Sequence, residues 1–322
     1  MLGLTGGDAR RSIEAITIPS DPTHQFPTAP SKSAKGKAMK RYITVWLGAI
    51  LGVCFALLVN AHGQANNKAD QFTEEFHHAY PLSPSGRIAL ENINGAVHIT
   101  AWDRDEVKVD AVKYAKTKER LDEAKIVVDA EANSISIRTE YPKYGRLNSN
   151  GSDNPASVEY TLMVPRAAHL DEVKLINGAL DIQGVTGDVQ ASCINGHLSA
   201  HGLAGQVKLS TINGRMDAEF DRLQDSPIEL SSVNGSVDLM IPSDSKADLE
   251  ASTMQGSIGD DFGLHEHHHF VGHNLRGEIG GGGTRIRLNN VNGKIEVRHN
   301  SDGRALSPAK DSDGNDRDHD DI

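Results

Sequence analysis

Aromatic residues and cysteines are scarce in this sequence. Phe, Trp and Tyr make up 5% of the 322 residues, whereas Gly occurs 31 times. A conventional globular core of this length contains more large aromatic side chains, while a stack of thin layers is filled by small aliphatic ones. Of the two cysteines, Cys54 lies in an apolar N-terminal run and Cys193 stands alone. We therefore expect a layered fold and no internal disulfide in the exported chain.

Positive charge is also in short supply. Lys and Arg number 33 against 44 Asp and Glu, which gives a formal net charge of −11. Proteins that bind nucleic acid cluster Lys and Arg against the phosphate backbone. We therefore expect no nucleic-acid partner, and the charge otherwise favours solubility.

Residues 39–65 have the order of parts found in a secretory signal peptide. A short basic start is followed by an apolar run over residues 43–59 and then by small residues. Cleavage near Ala61 or Ala65 would release the rest of the chain outside the cytoplasm. The segment therefore predicts an exported protein that is periplasmic, part of the cell envelope or secreted.

An uncleaved segment is the alternative. Basic residues before the run 43–59 would keep the N-terminus inside and leave the chain anchored in the inner membrane. This run is the only membrane contact that we expect. The polar residues 1–38 are predicted to be disordered or a mis-annotated leader ahead of a start at Met39. The polar, acidic residues 301–322 are predicted to be a disordered tail.

An internal repeat dominates the remaining sequence, with an Asn-Gly pair after an aliphatic residue in each copy. The pairs are Asn94-Gly95, Asn177-Gly178, Asn195-Gly196, Asn213-Gly214, Asn234-Gly235 and Asn292-Gly293, with a degenerate copy at Gln255-Gly256. The four pairs from Asn177 to Asn234 follow one another at 18, 18 and 21 residues. On both sides of each pair nearly every second residue is apolar, which indicates β-strands that meet at a tight turn.

A second small-residue turn falls between successive Asn-Gly pairs, as at Gly184–Gly187 and Gly202–Gly205. Each period of 18–21 residues then contains two short strands and two corners, which is one coil of a stack. The predicted fold is all-β, a single β-solenoid domain over residues 66–300, capped at its N-terminal side by strands and a hairpin. Because Asn-Gly is also a strong hairpin signal, an antiparallel meander is the alternative.

Three features of the sequence resemble a known family. They are the opening segment GRIALENINGAVHITAWDRDEVKVDAVK, the strand VEYTLMVP and the serial ING and VNG corners. Together they resemble the bacterial putative adhesin domains of unknown function, which are related to auto-transporter-adhesin-like head domains. The resemblance extends from about Phe76 to His299 and implies a β-helix on the cell envelope with no established chemistry.

A histidine cluster is the most conspicuous candidate site. It comprises His265, His267, His269 and His273, and it lies where the repeat is interrupted for 37 residues between Gln255 and Asn292. Imidazole nitrogens are suitable ligands for zinc or copper. The cluster predicts a metal site on a surface loop, and a solvated histidine-rich loop without a fixed metal is the alternative.

Acidic residues recur at outward strand positions four residues after the corner Asn. Asp181, Asp217 and Asp238, with His98 and Ser199, are expected to form a polar ladder along the stack. No nucleophile is matched by a base in the sequence pattern, so we expect no enzyme, no catalytic residue and no cofactor. The predicted function is a non-catalytic, adhesin-like binding or structural module of the cell envelope, with a glycan or an envelope protein as its partner.

Two other functions remain open from the sequence. A membrane-tethered regulatory or metal-sensing protein would use the histidine loop from His265 to His273. A polysaccharide-acting β-helix enzyme would use pairs of carboxylates on adjacent coils as acid and base.

Overall fold

The computed structural model describes residues 71–142, 155–268 and 272–312, with the backbone alone at 267–268. All of them belong to one compact unit, Asn67–Ile322. The leader 1–38, the signal segment 39–65 and the end of the acidic tail lie outside the described residues. Within the described ranges no helix is long and apolar enough to cross a membrane.

In the described residues, the front of the domain contains seven strands and one short helix. Their bounds are β1 Phe72–Pro81, β2 Arg87–Asn94, β3 Val97–Trp102, β4 Glu106–Ala115, α1 Lys118–Glu123, β5 Lys125–Ala130, β6 Ser134–Glu140 and β7 Ser157–Pro165. Helix α1 begins where the Thr117 hydroxyl accepts a hydrogen bond from the Arg120 N–H, which is a common N-cap.

The repeat region forms the remaining strands. Their bounds are β8 His169–Asn177, β9 Leu180–Gln183, β10 Val189–Asn195, β11 Leu198–Leu203, β12 Val207–Asn213, β13 Met216–Phe220, β14 Ile228–Asn234, β15 Val237–Ile241, β16 Ala247–Gln255, β17 Ile258–Asp260, β18 His267–His268, β19 His273–Ile279, β20 Thr284–Asn292, β21 Ile295–His299 and β22 Ala309–Asp311. In each Asn-Gly pair the Asn is the last residue of one strand, and the Gly follows it before the next strand begins.

The strands form a twelve-stranded and a ten-stranded sheet, and from β7 to β17 successive strands alternate between the two. Within each sheet the strands of the stack pair in parallel, and Asn177, Asn195, Asn213 and Asn234 occupy one shared register position. Hairpins of a meander pair antiparallel, whereas stacked coils pair parallel. The predicted all-β class with stacked, parallel coils is therefore confirmed in its broad form, and the meander is excluded for the stack.

Aliphatic side chains fill the space between the two sheets. Leu209, for example, is 1% exposed and lies between Ala191 and Leu230 of the neighbouring coils. Tyr160 and Phe220 are the largest fully buried side chains. A narrow interior of this kind needs few aromatic residues, which explains their scarcity in the sequence.

One interior column lies two residues before each corner Asn or Gln, and it is polar except where Leu175 occupies it. Its other buried members are Asn92, Cys193, Thr211, Ser232, Thr253 and Asn290. Asn290 Nδ2 donates to the Gly235 carbonyl at 2.8 Å, and Thr253 Oγ1 donates to the Gly293 carbonyl at 3.3 Å. The Cys193 thiol donates to the Gly178 carbonyl at 3.5 Å, and burial raises its pKa. Cys193 therefore supports a corner and is not an activated thiol.

The order of coils in the stack differs from their order in the sequence. Strand β20 lies between β14 and β16, and β21 lies between β15 and β17. The chain therefore passes over one layer, builds the terminal coil from β16 and β17, and then fills the vacant layer with its last coil. This placement explains why 37 residues separate Gln255 from Asn292.

The segment between these two coils covers the end of the stack. Strand β19 pairs antiparallel with β16, and the short strand β22 pairs antiparallel with β19. Two expectations are corrected by this arrangement. Residues 273–279 form a strand and not a surface loop, and residues 309–311 of the predicted disordered tail form β22, because an exposed sheet edge is stabilised by further pairing.

The front strands cover the opposite end, as the sequence predicted for a strand and hairpin cap. Strands β5 and β6 form an antiparallel hairpin, and β6 pairs in parallel with β2 of the first coil. In the other sheet, β4 lies antiparallel between β1 and β7. These additions leave the inner coils paired on both sides.

Candidate functional site

A column of polar side chains runs across the outer surface of the ten-stranded sheet. In register order its members are His98, Asp181, Ser199, Asp217, Asp238 and Glu296. The predicted polar ladder is thereby confirmed. Glu296 joins it because β21 stacks on β15, which the sequence order of the repeats did not indicate.

Two further columns flank this one, since outward residues recur every second position along each strand. One flank contains His197, Arg215 and Lys294, and the other contains His201, Glu219, Met240 and Arg298. We call the three columns together the polar face. A cleft of about 270 Å³ opens over its central coils, from β11 to β21.

Ion pairs connect side chains within a coil and between neighbouring coils across the polar face. Asp217 accepts from Arg215 Nε at 2.7 Å and lies 3.2 Å from His197 Nε2. Asp238 is held between two guanidinium groups, at 3.2 Å from Arg215 and 3.1 Å from Arg298. These contacts fix the directions in which donors and acceptors point.

Two neighbouring carboxyl groups on this face have pKa values that shift in opposite directions. Burial raises the pKa of Asp238 above its ordinary range, and a hydrogen bond with Glu296 acts in the same direction. Hydrogen bonds from Lys294 and Arg298 lower the pKa of Glu296 to about 2. Glu296 is therefore charged over the whole physiological range.

A hydroxyl, an imidazole and a carboxylate follow one another in the cleft. Ser199 Oγ lies 2.7 Å from His201 Nε2, and His201 Nδ1 lies 2.9 Å from Glu219 Oε2. This is the connectivity of a nucleophile, its base and the group that orients the base. The backbone donors beside it are used in the sheet, as where the Leu198 N–H donates to the Arg215 carbonyl at 3.0 Å.

The expectation from the sequence that no nucleophile is matched by a base missed this trio. The signal was nevertheless present in the repeat. Ser199 and His201 are two residues apart and face the same way on a strand, while Glu219 follows His201 by one 18-residue period. Residues one period apart occupy adjacent coils, so the alignment of repeats places all three together.

The predicted metal ligands are held by different carboxylates where the structure describes them. His265 Nδ1 lies 2.9 Å from Asp311 Oδ2, and His273 Nδ1 lies 2.8 Å from Glu266 Oε1. His267 lies in β18, and His269 lies outside the described residues. Among the described side chains, no group of three His, Cys, Asp or Glu is placed to hold a metal ion.

Comparison with known proteins identifies a family for part of the chain. Residues 168–298 match the model of the family described as Toastrack DUF4097. No curated protein matches. Similar solved structures include a putative cell adhesion protein from Clostridium sporogenes (12% identity, 70% of this chain, 100% of that chain, TM-score 0.43). A putative adhesin from Bacteroides fragilis is also similar (12% identity, 70% of this chain, 97% of that chain, TM-score 0.30). The family resemblance drawn from the sequence is confirmed over residues 168–298.

Proposed function

We propose that this chain, whose residues 168–298 match the toastrack family, is a non-catalytic binding module of the cell envelope that holds a glycan on its polar face. The observation that carries the proposal is the array of fixed donors and acceptors around the cleft of about 270 Å³. Sites for small ligands are concave and combine apolar surface with a few convergent polar groups.

The chemistry of the polar face suits hydroxyl-rich ligands. A sugar hydroxyl both donates and accepts, so it can bridge a carboxylate such as Asp217 and a guanidinium such as Arg215, which lie 2.7 Å apart. The carboxylates of the face outnumber its Lys and Arg residues. The carboxylates are those of Asp181, Asp217, Glu219, Asp238 and Glu296. This balance disfavours phosphate polymers and favours a glycan without strong negative charge.

Export is part of the same proposal. The signal segment 39–65 would deliver the domain to the compartment where envelope glycans occur. Mass spectrometry of the mature N-terminus, after fractionation of expressing cells, checks this step. We expect a start shortly after Ala61 or Ala65 in a soluble fraction, and an intact run 43–59 in the membrane fraction would contradict it.

Binding is tested with an exposed arginine of the polar face and a matched cation of the other sheet. We expect Arg215→Gln to weaken binding of an envelope glycan, found on a glycan array, by about tenfold or more, because a hydrogen bond to a charged group is worth about 1.5–3 kcal/mol. Lys208→Gln is the control. Its side chain is similarly exposed and pairs with Glu229 one coil away, on the outer surface of the twelve-stranded sheet.

Isothermal titration of the exported chain and its two variants measures the effect. Equal glycan affinities for Arg215→Gln and Lys208→Gln would show that the polar face is not the surface that binds the glycan. If the chain binds an envelope protein and no glycan, and this binding also depends on Arg215, then the polar face is the binding surface but its ligand is a protein.

Ester hydrolysis on the same face is a second candidate, favoured by the Ser199–His201–Glu219 geometry. Ser199 Oγ would attack the ester carbonyl carbon while its proton passes to His201 Nε2. The bond from that carbon to the alcohol oxygen would then break, and His201 would give the proton to the departing alcohol. Water, deprotonated in turn by His201, would hydrolyse the acyl-serine and release the acid. A fluorophosphonate probe reacts with such serines. This candidate predicts that the probe labels the natural chain and Ser210→Ala but not Ser199→Ala. If the natural chain is not labelled, the hydrolase candidate is wrong and the binding function is the one retained.

A further inference from the structure

A row of aliphatic side chains lies exposed along the corner of the stack. Each precedes a corner Asn, or Gln255 in the degenerate copy. The row consists of Ile176, Ile194, Ile212, Val233, Val291 and Met254, and we call it the corner ridge. These side chains are 37% to 56% exposed. They point away from the interior, because the buried column on the same strands lies one residue earlier.

Packing of the core does not require the corner ridge to be apolar. The outward position two residues earlier is serine in three successive coils, at Ser192, Ser210 and Ser231. Polar side chains are therefore tolerated on this surface of the twelve-stranded sheet. Scattered exposed aliphatic residues are ordinary, but a continuous row in a protein with 24% charged residues marks a contact surface.

The columns beside the corner ridge carry no charge over the central coils. The serine column lies on one side and the corner asparagines on the other. The asparagine amides are already bonded to one another, as where Asn195 Nδ2 donates to Asn177 Oδ1 at 2.9 Å and Asn213 Nδ2 donates to Asn195 Oδ1 at 2.8 Å. This surface therefore offers apolar contact and little unsatisfied hydrogen bonding.

We propose that the corner ridge is the contact between two copies of this chain. Successive ridge side chains are separated by the distance between strands, about 4.8 Å. A second copy presents the same spacing, so that each aliphatic side chain of one ridge can seat between two of the other. Elsewhere, two copies with a formal net charge of −11 each bring like charges together. The uncharged ridge is where they approach without that repulsion.

The size of the surface predicts a weak and reversible dimer. Six side chains at strand spacing form a row about 24 Å long and only one side chain wide, so two such rows bury less area than a standard specific interface. Dimerisation should therefore depend on protein concentration. Added salt should strengthen the dimer, because salt screens the repulsion between two acidic copies. A contact made of ion pairs would instead be weakened by salt.

Sedimentation velocity of the exported chain tests the proposal with two variants of equal charge. Ile212 lies near the middle of the ridge, and Gln206 is an exposed residue at the opposite corner of the same coil. We expect a dimer at high micromolar concentration for the natural chain and for Gln206→Glu. For Ile212→Glu the dissociation constant should rise tenfold or more, because each copy would bring a charge that is desolvated against apolar side chains.

Disulfide formation gives a second readout that does not depend on weak association in solution. Under mild oxidation Ile212→Cys should form covalent dimers and Gln206→Cys should not, while the buried Cys193 adds no background. A monomer throughout the concentration range, with equal crosslinking of the two variants, would overturn the proposal. Binding to anionic lipid vesicles that Ile212→Glu abolishes would also overturn it, because the ridge would then contact a membrane.

Discussion

Replacing Gly214 with alanine is expected to destabilise the stack by about 2–5 kcal/mol, the sum of left-handed backbone strain and overpacking. Gly214 has a φ of 150°, and a Cβ atom there would lie 1.8 Å from the carbonyl oxygen of Gly196 in the adjacent coil. That oxygen belongs to a backbone held on both sides by the stack, so it cannot turn away like a flexible side chain. Urea denaturation followed by circular dichroism measures the loss.

Gly281→Ala separates the two causes. Gly281 has a φ of 83°, and a Cβ atom built on it has no neighbour within 4 Å. This variant should lose only the cost of a left-handed conformation, about 1–2 kcal/mol. Equal losses for Gly214→Ala and Gly281→Ala would mean that close contact between stacked corners contributes nothing, and the steric account of the corner glycines would fail.

The features that repeat were the ones that could be predicted from the sequence. A stack places equivalent residues above one another, so one correct coil predicts its neighbours. The alignment of Asp181, Asp217 and Asp238 followed in this way, and parallel pairing of the strands brings them into one column. The same alignment of repeats also predicts that Ser199, His201 and Glu219 lie close together, although no local sequence motif marks them as a catalytic group.

The order of the last two coils could not be predicted, because the repeats carry no label for their layer. Strands β16 and β20 have aliphatic residues at the same positions, so either of them could pair equally well with β14. What decides the order is the antiparallel pairing of β19 with β16. That pairing depends on residues 273–279, which do not follow the repeat.

Asp260 shows how a misfit in the repeat marks a change of structure. It stands where other coils have an aliphatic residue, and its register partner is Val297. Its carboxylate accepts a hydrogen bond from the Leu264 N–H at 2.8 Å, and burial raises its pKa. The side chain therefore stabilises the turn that leads out of the terminal coil, and a further aliphatic residue there would not.

Leu209→Asp is expected to abolish stable folding or to lower the Tm by about 10–20 °C. Leu209 is 1% exposed between Ala191 and Leu230. The variant removes a buried leucine, which costs about 2–5 kcal/mol, and leaves a carboxylate without a partner, which costs several more. A domain is stable by only about 5–15 kcal/mol in total, and each coil depends on contacts with its neighbours.

Gln190→Asp is the matched control for this experiment. Gln190 precedes Ala191 on the adjacent strand, but it points outward and pairs in register with Lys208. The same new charge on the outer surface should change the free energy of unfolding by no more than about 0.5 kcal/mol. Similar melting curves for Leu209→Asp and Gln190→Asp would mean that the two faces of these strands are equally accessible to water. The assignment of an apolar interior column between the sheets would then be wrong.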